Sequence, residues 1–358
     1  MLGMTALSSS LAVPTIAASA ANVAPAPEQI LNFDGNVGWL NSKPLTPQDL
    51  RGKVVLVDFW EYTCINCLRT LPYLREWQRR YAPQGLVIVG VHTPEFDFSS
   101  DPKNIAAAVK HLDVTWPVVM DSKETIWTRY KNDIWPREIL YDQAGKLVES
   151  VEGEGSYQAT ETKIQQLLKA ANPAAKFPPV MALLPQDSYL KPGAVCYPQT
   201  QETYVGGERG KIANAPIGLA AQRYDVNYVD SNPLHADGEI YLGGYWHATQ
   251  QAMVSRDNRG HLSLTYHALQ VVAVMKPEQG TPVAVTVTQD GAPVAKVDAG
   301  ADIKYDAQGH SYVTVDAGRA YELIMNQKWG THELQLLPQR DGVGIYSFAF
   351  ESCEAAPS

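Results

Sequence analysis

Two almost unbroken apolar runs, Lys53–Trp60 (KVVLVDFW) and Leu86–His92 (LVIVGVH), have the length and composition of strands buried on both faces. Between them, Cys67–Tyr81 carries Leu71, Leu74, Trp77 and Tyr81 at helical spacing, with Arg69, Arg75, Arg79 and Arg80 largely off that face. The alternation continues downstream. Pro102–Leu112 predicts a helix, Thr115–Met120 a short strand and Lys123–Tyr130 another helix. Ile139–Asp142 and Lys146–Glu152 predict a hairpin around Gln143-Ala144-Gly145, and Thr160–Ala171 a closing helix. Such a succession requires a sheet covered by helices on both faces, an α/β domain over residues 29–171.

The pattern then changes. Prolines 173, 178, 179, 185 and 192 mark residues 172–192 as a linker. Beyond it the period is two: Val283, Val285 and Val287 alternate with polar or small residues, as do Tyr346, Phe348 and Phe350. Turn markers recur at Asn258-Arg259-Gly260, Gln289-Asp290-Gly291, Gln308-Gly309 and Asp341-Gly342. Short strands punctuated in this way predict an all-β sandwich or jelly roll over residues 193–358.

Residues 1–28 form an apolar, small-residue leader; the first basic residue of the chain is Lys43. Ala18-Ser19-Ala20 resembles a signal-peptidase site, so an exported protein is expected. Without a positive n-region, a disordered Ala/Ser leader and the tail of a membrane-anchored precursor stay open as readings. No later run approaches the roughly twenty apolar residues of a membrane span.

A net charge of -9 argues against nucleic acid as a partner, because phosphate binding needs clustered positive charge. The four cysteines are too few for a disulfide-dense scaffold. A structural zinc site needs four ligands, and Cys64-x-x-Cys67 stands without a second CxxC or a closely spaced His pair, so no metal is expected. Cys196 and Cys353 bracket the predicted sandwich and are expected to pair in an oxidising compartment.

Disulfide exchange needs a stabilised thiolate. Cys64 follows a buried strand and precedes a helix, where unpaired backbone N–H groups favour an anion, and Arg69 adds positive potential about one turn on. Cys67 is close enough to close a small disulfide ring and resolve a mixed disulfide. Val55–Trp60, the CxxC and Pro72, five positions after Cys67, resemble the thioredoxin active-site strand and helix. That resemblance implies a thioredoxin fold. It makes Asp58 a buried carboxylate that accepts a proton from Cys67, and Trp135-Pro136 the cis-proline turn along which a substrate strand aligns. A strand-end Asp and an ordinary trans proline are the plainer alternatives. His92 and Glu95 follow a strand at the same edge of the sheet, where they either tune the thiols and bind substrate or merely end the strand. A peroxiredoxin would require Pro-x-x-x-Thr-x-x-Cys. Counting back from Cys64 the Thr and Pro positions hold Glu61 and Val57, and from Cys67 they hold Cys64 and Trp60.

Trp39-Leu40-Asn41-Ser42, Leu50-Arg51-Gly52-Lys53, Thr63–Pro72 (TCINCLRTLP) and Val91–Phe96 (VHTPEF) resemble DipZ-type proteins, relatives of the TlpA-like periplasmic thioredoxins. Glu202–Gly206 (ETYVG) and the closing Ala349-Phe350 resemble the carbohydrate-binding-module-like sandwich those proteins carry. The resemblance implies a periplasmic reductase of protein disulfides with no metal or organic cofactor, in which Thr63, Trp135 and Arg69 meet substrate. Some family members are fused to a CcdA-like membrane domain, so a separate CcdA/DsbD-like membrane electron donor is expected as a partner, unless electrons flow the other way. Tyr245, Trp246 and Trp329 are candidate contacts of the sandwich with a glycan or envelope partner, or else core residues. The rival reading is an envelope glycan- or partner-binding protein in which the thioredoxin fold is structural.

Overall fold

Residues 31–215, 224–232 and 234–354 are described by a computed structural model; the leader lies outside them. The first half is built on six strands: β1 (Trp39–Leu40), β2 (Val54–Trp60), β3 (Leu86–His92), β4 (Val118–Met120), β5 (Arg137–Tyr141) and β6 (Leu147–Glu152). Its helices are α1 (Pro47–Leu50), α2 (Ile65–Tyr81), α3 (Pro102–His111), α4 (Thr125–Arg129) and α5 (Tyr157–Ala171). The sheet order is β1-β4-β3-β2-β5-β6. The strands β2, β3 and β4 run parallel, and β5 and β6 close the sheet antiparallel. All seven residues of β2 are buried, which is why the run is almost wholly apolar and why Asp58 stands out within it. Cores lie on both faces, with Leu56, Trp60, Leu74 and Trp77 on one and Val55, Val57, Phe59 and Ile126 on the other.

The proline-rich segment 172–192 is not a free tether. Phe177, Met181, Leu183, Leu184 and Leu190 pack onto the first core, and the Tyr73 hydroxyl donates to the buried Asp187 carboxylate at 2.6 Å.

After it comes an all-β unit whose strand Ile240–Ala248 belongs to two layers. Its first half pairs with His261–His267 and its second with Tyr224–Tyr228 and Met253–Ser255. The switch falls at Gly243-Gly244. Gly244 has φ +80°, and a Cβ there would lie 2.5 Å from Gly260 Cα, so glycine is required. Leu264, Val285 and Leu336 of one layer pack against Val271, Tyr321 and Phe348 of the other. The alternation expected at Tyr346, Phe348 and Phe350 breaks at a bulge opposite Val274/Met275. Phe348 stays in the core, while Tyr346 packs edge-on against Phe96 and Phe98 of the first domain. Trp246 is fully buried and donates to Gly243 O at 2.8 Å, which decides for its reading as a core residue and corrects the one as a ligand contact.

Cys196 and Cys353 face each other on paired strands and are joined as a disulfide. It closes a loop spanning a sequence separation of 157 residues. Replacing both by serine should lower the stability of the β unit by about 2–5 kcal/mol, read from urea unfolding of the full chain. Superimposable unfolding curves would rule out a stabilising role.

Candidate redox site

Strand β2 ends at Trp60, and the buried turn Glu61-Tyr62-Thr63 delivers the chain to α2. Cys64 is the N-cap of that helix, with extended backbone at φ -76°, ψ 112°. Its Sγ accepts the Cys67 amide N–H at 3.4 Å, the type of contact that holds an anion at a helix start. Cys64 is partly exposed and Cys67 fully buried, and both are free thiols. Burial pushes the Cys67 thiol well up, reinforced by its contact with Cys64 and by the charges of Cys64 and Asp58. One sulfur is therefore open to attack a partner, and the other is held back in its protonated form.

Asp58 lies in the middle of β2 with no exposure and no hydrogen-bond partner for either carboxyl oxygen. Burial raises its pKa to about 7. Glu138, which the sequence reading passed over, is its register partner on β5. It too is almost fully buried with both oxygens unpartnered, and burial followed by the Asp58 and Glu149 charges pushes it well above the usual carboxylate range. The available signal was a glutamate directly before the apolar run Ile139–Tyr141.

Trp135-Pro136 is a cis peptide. The β2–β5 register, which pairs Phe59 with Arg137, brings Pro136 level with the end of β2, where the turn to the CxxC begins. Trp135 packs on Trp127 at 4.4 Å between ring centroids. Thr63 is turned inward: its amide and hydroxyl both donate to the Glu61 carboxylate.

His92 is buried, stacked on Tyr62 at 5.3 Å, with Nε2 3.7 Å from Glu61 Oε1. Burial pushes the imidazole down to about 3 and, as the largest influence, raises Glu61 to about 7, so the two are not an ion pair near neutrality. Glu95 is held across the domain seam by Tyr204 Oη at 2.8 Å and Arg209 Nη1 at 2.9 Å.

Arg69 departs most from expectation. Its guanidinium donates to Glu154 at 2.8 Å, to Glu351 at 3.4 Å and to Gln270, the last two on the β unit. The group expected to meet substrate is neutralised inside the protein and ties the active-site helix to the second domain. Beside it a cleft of about 280 Å³ opens between Ile65, Leu68, Ala108 and Leu112 on one side and Gly318 and Ala320 on the other. Tyr245 and Trp329 remain exposed, Trp329 stacked on Tyr197 and donating to Pro198 O at 2.9 Å. Among the described residues no cluster of His, Cys, Asp or Glu has the geometry of a metal site.

The AhpC/TSA family model matches residues 25–150 and the thioredoxin-like C-terminal domain model residues 200–350. Protein DipZ of Mycobacterium tuberculosis is 33% identical over 322 residues, 89% of this chain. The chain is a thioredoxin-like homologue of DipZ. It spans 42% of the length of DipZ. The thiol-disulfide oxidoreductase YkuV of Bacillus subtilis is 27% identical over 144 residues, covering 40% of the DipZ homologue and 94% of YkuV. A thiol:disulfide interchange protein DsbE from Chlorobium tepidum aligns with 34% of this chain and 84% of its own, at 24% identity and a TM-score of 0.31.

The buried Asp58 sets a pH dependence in this DipZ homologue. Its folded pKa of about 7 lies above the ordinary 3.8, so its contribution to stability is present below about pH 4 and lost as pH rises through 7. At about 1.4 kcal/mol per pH unit, the loss is at most about 4 kcal/mol. Asp58→Asn should therefore gain stability over the parent between pH 4 and pH 7 in urea unfolding. A stability difference that does not vary with pH would show that Asp58 does not titrate in this range.

Proposed function

We propose that this protein reduces protein disulfides outside the cytoplasm. The observation that carries the reading is the asymmetry of the CxxC: an open Cys64 at the start of α2 with a buried Cys67 behind it. The Cys64 thiolate attacks one sulfur of a substrate disulfide, forming a mixed disulfide and expelling the other sulfur as a thiolate that takes a proton from water. The Asp58 carboxylate then accepts the Cys67 proton. The resulting thiolate attacks Cys64 Sγ, breaks the mixed disulfide and leaves Cys64–Cys67 oxidised and the substrate dithiol reduced. Burial that raises Asp58 to about 7 suits it to hold a proton transiently near neutral pH. Trp135 and Pro136, level with the end of β2, supply backbone along which a substrate segment aligns. Thr63 has only its backbone carbonyl to offer beside Cys64, since its amide and hydroxyl are both committed to Glu61.

Electrons return to the pair from a membrane donor of the CcdA/DsbD kind. The Cys196–Cys353 disulfide supports an oxidising compartment such as the periplasm, as does the resemblance of Ala18-Ser19-Ala20 to a signal-peptidase site. Among the described residues no helix is long and apolar enough to cross a membrane. The missing Pro-x-x-x-Thr-x-x-Cys favours exchange over peroxide reduction on the same scaffold. Exposed Tyr245 and Trp329 support a second reading in which the β unit also holds a glycan or envelope partner.

Two measurements test the reductase. Cys67→Ser should accumulate mixed disulfides on exposure to oxidised substrate protein, while Cys64→Ser forms none. The reduction potential of the pair should fall near thioredoxin's, about -270 mV. A value of about -120 mV would reverse the direction of electron flow, and no reversible two-electron couple would leave only the binding role.

A further inference from the structure

Asp58 and Glu138 do not stand alone. Asp58 on β2 is the cross-strand partner of Glu138 on β5, and Leu140, two residues on from Glu138, is the partner of Glu149 on β6. Because side chains alternate along a strand, all three carboxyls project from one face of the sheet. It is the face that carries α2 and α5: Leu56 and Leu140, on the same face, share a core with Cys67 and with Tyr157 of α5. Exposure rises along the row. Cys67 and Asp58 have none and Glu138 has 3%, while the Glu149 side chain reaches 24% and meets Lys163 of α5 at 3.3 Å. The four carboxyl oxygens of Asp58 and Glu138 have no protein partner. Such a pair has no stabilising role, since each buried carboxyl costs desolvation that no hydrogen bond returns.

We propose that Asp58, Glu138 and Glu149 form a proton path leading from the resolving thiol to the solvent edge of the sheet, in which Glu138 acts on the reaction through Asp58. This rests on the exchange reading above. The Cys67 proton passes to the Asp58 carboxylate as the Cys67 thiolate attacks Cys64. Glu138 then relays a proton from Asp58 outward, Glu149 releases it to water, and the row is reset for the next turnover.

The groups facing Glu138 are Asp58 from β2, Glu149 from β6 and Tyr157 from α5, with Lys163 beyond Glu149; those facing Cys67 are Cys64 and Asp58. No cation on this face pairs with Asp58 or Glu138 among the described residues, so the two carboxyls cannot both ionise easily. Burial raises Asp58 to about 7, and burial followed by the Asp58 and Glu149 charges pushes Glu138 well above the usual carboxylate range. Facing each other across the β2–β5 register with no counter-charge, the two carboxyls titrate as a coupled pair.

The test separates the two chemical steps in single-turnover reactions of the pre-reduced full chain with a peptide disulfide carrying a fluorescent reporter on each half. Release of the first half reports attack by Cys64, and release of the second reports resolution by Cys67. Across about pH 6 to 10, resolution in the parent should show two inflections from the coupled pair. Glu138→Gln should slow resolution about tenfold or more and leave a single inflection, with attack unchanged within about twofold. Glu138→Asp should restore part of the rate. Glu149→Gln, at the partly exposed edge where folding is not at stake, should slow resolution about threefold. Parental resolution rates and both inflections in Glu138→Gln would overturn the proton path while leaving exchange intact. Equal slowing of attack and resolution would make Glu138 merely structural and overturn it as well. No release of the first half by the parent would instead remove the exchange reading, and the path with it.

Discussion

Everything in the redox site depends on the junction where a fully buried strand meets the first turn of a helix. The strand β2 cannot carry polar side chains without cost, and α2 cannot leave its first amides unpaired without cost. Placing Cys64 as the N-cap meets the second demand, because its sulfur accepts the Cys67 amide. Helical geometry then turns Cys67 inward, onto the face of the sheet that carries Asp58. The difference in exposure between the two thiols is therefore a consequence of backbone geometry before it is a feature of chemistry.

The second domain bears on that junction directly. Arg69, one turn into α2, is fixed by Glu351 and Gln270 from the β unit as well as by Glu154. The Glu95 carboxylate is held by Tyr204 and Arg209, and Phe96 and Phe98 receive Tyr346. Charge-assisted hydrogen bonds to a half-buried guanidinium are among the stronger polar contacts a protein makes, so the helix start is held from both domains. The cleft beside Ile65 and Leu68 exists only because the β unit supplies its second wall.

What the sequence made legible follows from how local each signal was. The strands β2 and β3 are buried on both faces, so their apolar runs fixed them almost to the residue, and α2 declared itself through Leu71, Leu74, Trp77 and Tyr81. Its start, expected directly after Cys64, falls at Ile65 although Ile65 and Asn66 lie outside that stripe. Signals that depend on distant strands were read less well. Tyr346 fits a period of two, and only the bulge against Val274/Met275 reverses it. Trp246 stayed open between ligand contact and core because nothing local reveals that the strand changes layers at Gly243-Gly244. Arg69 looked like a free cation because its acceptors lie as far as 282 positions along the chain. The proline-rich segment looked like a tether because its apolar residues are scattered among the prolines rather than periodic.

Glu138 is the most instructive omission. A glutamate just ahead of three apolar strand residues reads as an edge position, and cross-strand register alone places it opposite Asp58. Two unpartnered carboxyls in one core are costly, and isosteric amides or apolar residues would remove most of that cost. Stability therefore gives no reason for the pair. A proton that must leave a buried thiol gives one, because Cys67 has no exposure and a proton on Asp58 alone would remain enclosed. Burial creates the need for a carboxyl acceptor tuned toward neutral pH, and the same burial requires a second group to clear it. The destabilising charge arrangement and the reactivity of the resolving cysteine then have one physical origin: a thiol kept out of water in the first turn of the helix that follows a fully buried strand.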